Sequence, residues 1–72
     1  MNDAKTIGEN IKQIRKSSQF NTQEKFAEFI DVSVENISNI ERGNVLLKTS
    51  TLVSIAEKCN VSTDSILGIK FD

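Results

Sequence analysis

The chain has 72 residues, nine Lys or Arg against ten Asp or Glu for a net charge of −1, and 38% hydrophobic residues. It contains no His, Trp, Tyr or Pro and a single Cys. That removes the commonest general base, a cysteine–histidine zinc site and any intramolecular disulfide, so the sequence reads as a non-enzyme needing no metal or cofactor. A domain this small buries only a modest fraction of its surface, and its nine isoleucines are the material for the core. No apolar run approaches the roughly 20 residues of a membrane span, and MNDAKTIGEN has no signal-peptide core; the expectation is a soluble cytoplasmic protein.

In chain order, Ile7, Ile11 and Ile14 recur at i, i+4, i+7 and predict a first helix over about 4–18. QFNT follows as a connector. Thr22 is the N-cap candidate for a second helix whose buried face is Phe26, Phe29 and Ile30, with Ala27 beside them. DVS breaks the pattern. Ser33 is then the next N-cap, with Val32 and Ile37 placed as a hydrophobic staple, Ile37 and Ile40 facing inward, and Gly43 stopping the helix. NVLLKTS reads as an irregular connector, apolar enough at Val45, Leu46 and Leu47 to be expected folded onto the core rather than left as a partner surface. Leu52, Ile55, Ala56 and Cys59 predict a fourth helix ending near Asn60, and Val61, Ser62 and Ile66 repeat the staple and cap of a short fifth helix through Leu67 to Gly68. Cys59 reads as a small core residue. Nothing alternates with period two, so the fold class is all-α.

Charge is unevenly placed. Residues 1–20 sum to +2 through Lys5, Lys12, Arg15 and Lys16, residues 21–43 sum to −3, and the remainder is balanced. The three-residue break inside TQEKFAEFIDVSVENISNIERG forces two short helices to cross steeply, the geometry of a helix-turn-helix. Val34, Glu35, Ser38, Asn39 and Arg42 are left projecting from the second of them.

TQEKFA and ISNIERG at this spacing resemble the Cro/repressor type of helix-turn-helix domain of phage and bacterial regulators, with IGENIKQIR similar to its first helix and TLVSIAEKCNVSTDSILG to its last two. The resemblance runs from Ile7 to Leu67. It implies a five-helix, lambda-repressor-like domain that binds double-stranded DNA, acts as a homodimer on a pseudo-palindromic operator and represses transcription. By position, Val34, Glu35 and Asn39 would read base edges in the major groove, Asn36 and Ser38 would meet bases or backbone, and Gln23, Arg42, Asn44 and Lys48 would meet phosphates. The reading face need not be basic: Asn39 can pair with adenine, Glu35 can accept from a cytosine amino group, and Val34 can pack on a thymine methyl. The resemblance also pairs Arg15 with Glu41, tying the first helix to the recognition helix.

Three positions depart from that pattern. Asp31 stands where Gly is usual, Asn21 adds a residue between the first two helices, and Leu47 replaces a frequent Pro. Ile69 and Phe71 are candidate dimer contacts. The acidic row Glu24, Glu28 and Asp31 reads as a solvated face. One domain is expected over 1–72, with no second, ligand-sensing region in this sequence and no membrane or small-molecule partner. The rival reading is a helix-turn-helix fold used as a protein-binding module, antitoxin-like or anti-repressor-like, with weak DNA affinity; the net acidity and the apolar VLL and IKF stretches favour it.

Overall fold

The computed structural model describes residues 3–68. Five helices follow one another: α1 (Ala4–Ser17), α2 (Gln23–Ile30), α3 (Val34–Arg42), α4 (Thr49–Cys59) and α5 (Thr63–Leu67). The all-α architecture expected from the sequence is the one observed, and no strand occurs among the described residues.

The helix ends follow from local chemistry. Four of the five helices begin on a side chain that satisfies a free N–H: Asp3 on Thr6, Thr22 on Lys25, Ser33 on Asn36 and Ser62 on Ser65. The exception is α4, whose N-cap Lys48 has no side-chain bond. Helices α2, α3, α4 and α5 stop at residues in the left-handed conformation, Asp31 (φ 64°), Gly43 (φ 77°), Asn60 (φ 55°) and Gly68 (φ 77°). Asp and Asn tolerate that region better than most side chains. After Asp31 and Asn60 the next residue turns its N–H back onto the helix, Val32 to the Ala27 carbonyl and Val61 to the Ala56 carbonyl. DVS and NVS are therefore the same device, a left-handed stop, an apolar staple residue and a serine cap.

The core is Ile7, Ile11, Phe26, Ala27, Ile30, Ile37, Ile40, Ile55 and Ile66, all at most 6% exposed. Helix α3 packs against both α1 and α2; α4 covers α2, and α5 sits between α1 and α4. Side chains stitch these contacts to backbone. Ser54 Oγ donates to the Ile30 carbonyl (3.0 Å) and Lys58 Nζ to the Phe29 carbonyl (2.9 Å), so α4 satisfies the last carbonyls of α2. Asn10 Nδ2 donates to the Ile66 carbonyl (3.1 Å) and fastens α5 to α1.

Some expectations need correction. The connector NVLLKTS is shorter than its composition suggests, because α4 already begins at Thr49. It is not folded wholly onto the core: only Leu47 packs there, while Val45 is 40% and Leu46 72% exposed. Three hydrophobics in five residues cannot all reach one small core from a connector that must turn between two helices. Phe29 and Cys59 are half-buried rather than enclosed; Phe29 stacks on Phe20 with centroids 4.1 Å apart. Ile69 and Phe71 lie outside the described residues.

A close helix–helix approach occurs at a residue that the hydrophobic pattern does not mark. Gly8 of α1 lies so close to α3 that a Cβ there would stand 2.2 Å from the Ile40 carbonyl oxygen. Helix propensity alone favours Gly8→Ala by about 1 kcal/mol. Backbone cannot step aside as a side chain can, so the clash wins: Gly8→Ala is expected to destabilise the domain by about 2 kcal/mol in chemical denaturation. A second prediction concerns Asp3, whose carboxylate accepts the Thr6 N–H (2.8 Å) and is thereby held below the ordinary carboxylate range. A depressed folded-state value stabilises above the unfolded value and is lost as pH falls through the folded one. The cap of α1 should thus weaken as pH falls below the ordinary carboxylate range, and amide exchange at Thr6 should lose that acid sensitivity in Asp3→Asn.

Candidate nucleic-acid interface

Helix α3 has three sides with different commitments. Ile37 and Ile40 are buried and fix its depth. Glu41 fixes its rotation and register. Its carboxylate accepts from Arg15 Nε at Oε2 (2.6 Å) and from Arg15 Nη2 at Oε1 (3.0 Å), a two-pronged pair whose side chains are only 9% and 3% exposed. Arg15 Nη1 donates to the Asn21 carbonyl, so the connector between α1 and α2 is held by the same guanidinium. Gln23 Nε2 donates to Glu41 Oε1 (3.0 Å). One carboxylate on α3 therefore gathers the C-terminal part of α1, the α1–α2 connector and the first residue of α2.

The third side is uncommitted. Val34 is 43% exposed, Glu35 is exposed, and Asn36, Ser38 and Asn39 are half-exposed. Among the described residues no hydrogen bond engages the side chains of Glu35, Asn36, Ser38 or Asn39. Arg42, Asn44 and Lys48 are exposed at and beyond the end of α3. The five residues expected to read bases thus lie on a single nine-residue helix, and three of the four expected at phosphates lie exposed at and after its C-terminal end. The fourth, Gln23, stands at the start of α2 and is engaged with Glu41. That engagement was not foreseen; the signal was the i, i+18 pairing of an amide and a carboxylate, which only the tertiary crossing reveals.

Elsewhere, an open groove between α1, α2 and α4 is floored by Ile14, Phe20, Phe29 and Val61 and edged by Cys59. Burial pushes the Cys59 thiol up, away from the reactive thiolate. No helix among the described residues is long and apolar enough to cross a membrane.

Comparison with known proteins gives one consistent result. A family model described as a helix-turn-helix domain matches residues 8–68. The HTH-type transcriptional regulator ImmR of Bacillus subtilis is 35% identical over 63 residues, 88% of this chain and 49% of ImmR. The antitoxin PezA of Streptococcus pneumoniae serotype 4 is 37% identical over 62 residues, 86% of this chain and 39% of PezA. YazB of Bacillus subtilis, an uncharacterized HTH-type transcriptional regulator, is 34% identical over 64 residues, covering 89% and 91%. The chain spans about half of ImmR and less of PezA. No solved structure matches.

Removing Arg15 leaves Glu41 buried without its charge partner, and breaking such a pair costs far more than its net contribution. Arg15→Ala is expected to lower unfolding stability by about 3 kcal/mol, with any binding defect following from lost structure. A normal melting temperature combined with lost DNA binding would instead make Arg15 a direct contact.

Proposed function

This chain belongs to the helix-turn-helix family, and we propose that it is a sequence-specific, double-stranded-DNA-binding transcription regulator, acting as a repressor in the cytoplasm. It works as a homodimer on a pseudo-palindromic operator whose half-sites lie about 10 bp apart. The observation that carries this reading is the division of α3: one side anchored by Ile37, Ile40 and Glu41, the other presenting amide, hydroxyl, carboxylate and methyl groups with no hydrogen-bond partner among the described residues. Residues 1–72 act as one helix-turn-helix unit.

In this reading Asn39 pairs bidentately with adenine, Glu35 accepts from a cytosine amino group and Val34 packs on a thymine methyl, while Asn36 and Ser38 add base or backbone contacts. Arg42, Asn44, Lys48 and Gln23 hold the phosphates and set the register. Glu35 also repels phosphate, which weakens non-specific binding and widens the contrast between right and wrong sites.

A second reading has its own support. PezA is named as an antitoxin, and Val45 and Leu46 stand exposed beside α3. The same fold would then bind a protein through an apolar contact. Salt separates the two, because phosphate contacts release counterions and apolar contacts do not.

The test is selection from a random duplex library at low and moderate salt. A two-fold symmetric motif that persists is expected; an unenriched pool moves the function to protein binding. On the selected motif, Asn39→Ala should relax preference at one base pair per half-site by about 1–3 kcal/mol. Arg42→Ala should weaken all duplexes alike and reduce the slope of log affinity against log salt by roughly 0.9 per phosphate lost. A Glu35→Ala variant with an unchanged motif would remove Glu35 from the reading set.

A further inference from the structure

We propose that Glu41 is a positioning residue for DNA binding, fixing which edge of the Gln23 amide faces outward; this rests on the DNA-reading function above. The Glu41 carboxylate is an acceptor only, and both its oxygens are already aligned by Arg15. At 3.0 Å from Oε1, Gln23 can present nothing but its NH2 group, since the flipped amide would set two oxygens against each other. The orientation is thereby chemically determined rather than one of two equal choices.

Consequently one hydrogen of Nε2 is committed to Glu41 and the second is left for an outside acceptor. It sits at the first residue of an eight-residue helix whose cap, Thr22 Oγ1, is used by the Lys25 N–H (3.1 Å). The backbone N–H groups of Gln23 and Glu24 have no acceptor within the helix. A side-chain donor and two backbone donors thus share one end of α2, and a phosphate oxygen, itself only an acceptor, is what such a set can hold. Glu24 in the same turn opposes an anion, so the geometric precision of the Gln23 donor matters more than the field of the helix end. The chain of support runs Arg15, Glu41, Gln23, phosphate. Arg15 is anchored in turn by the Asn21 carbonyl, in the connector that leads into α2.

Without the Glu41 carboxylate the two amide orientations become nearly equivalent and about half of the molecules present an oxygen to the phosphate. Loss of the competent fraction and of the fixed rotamer together weaken binding roughly two- to fivefold. Deleting the amide altogether costs roughly ten- to a hundredfold, the ordinary worth of a hydrogen bond to a charged group.

The experiment is a double-mutant cycle of Gln23→Ala and Glu41→Gln on the selected duplex, at a temperature where circular dichroism shows all four proteins folded. Glu41→Gln should weaken binding roughly two- to fivefold more when Gln23 is present than when it is Ala, the loss common to both backgrounds being its effect on the register of α3. Gln23→Ala should leave the salt slope unchanged in either background, because a neutral amide releases no counterion. Equal losses in both backgrounds would overturn the proposal and leave Glu41 a purely structural partner of Arg15. Failure of the wild type to prefer any duplex would instead overturn the DNA-reading function itself. Should Glu41→Gln not fold, the wild type decides by NMR. The Gln23 side-chain amide protons should be resolved and displaced from those of exposed Gln13 and Gln19, and coincidence with them would overturn the proposal.

Discussion

The rotation and register of α3 depend on the Arg15–Glu41 pair. Two charges with side chains 9% and 3% exposed have given up most of their hydration, and in such surroundings an ion pair does little more than break even against two well-packed hydrophobic residues. Its value lies in geometry. An apolar pair is non-directional and would not by itself select among rotations of α3 about its axis. A two-pronged guanidinium–carboxylate contact accepts one. Gly8 supplies the complementary constraint, a backbone-to-backbone approach at Ile40 that sets the separation of α1 and α3 while the ion pair sets their register.

Much of this fold was legible because its punctuation is local. Thr22, Ser33 and Ser62 cap, Asp31, Gly43 and Asn60 stop, and Val32 and Val61 staple within four or five residues of the groups they serve, so each could be read from sequence spacing alone. The repetition of DVS and NVS made the second instance easier to read than the first. Other features were hidden because they depend on residues far apart in sequence. Gly8 breaks no pattern until α3 is laid across it. Gln23 and Glu41 are unremarkable polar residues until the helices cross. The start of α4 has no capping side chain, so nothing in LLKTS marked it. Val45 and Leu46 misled for the opposite reason: composition said core, and the geometry of a short connector left no way inward for all three of its hydrophobics.

The placement of charge bears on how a domain of net charge −1 could still approach DNA. Glu41, one of the five acidic residues of the 21–43 segment, is neutralised by Arg15, and Glu24, Glu28 and Asp31 belong to α2 and its end rather than to α3. Only Glu35 is acidic on the exposed side of α3, whereas Arg42 and Lys48 lie at and just beyond its C-terminal end. Net charge governs long-range attraction, and a neutral-to-acidic domain forgoes much of it. In the proposed function it would retain discrimination, since a weak electrostatic term leaves base contacts a larger share of the total.

The same division of α3 has a consequence for change. Ile37, Ile40 and Glu41 hold the helix, and none of them belongs to the uncommitted side. Val34, Glu35, Asn36, Ser38 and Asn39 could therefore be exchanged with little effect on packing, as surface substitutions away from special features generally are. Gln23 does not share that freedom, because it answers to Glu41 on one side and to a phosphate, in the proposed arrangement, on the other. A residue with two such partners would be constrained by both, while each residue proposed to read a base would be constrained only by that base. In the proposed function register and preference are thus separable: the network of Arg15, Glu41 and Gln23 helps fix where α3 lies, and the five residues on its open side would set what it prefers once it lies there.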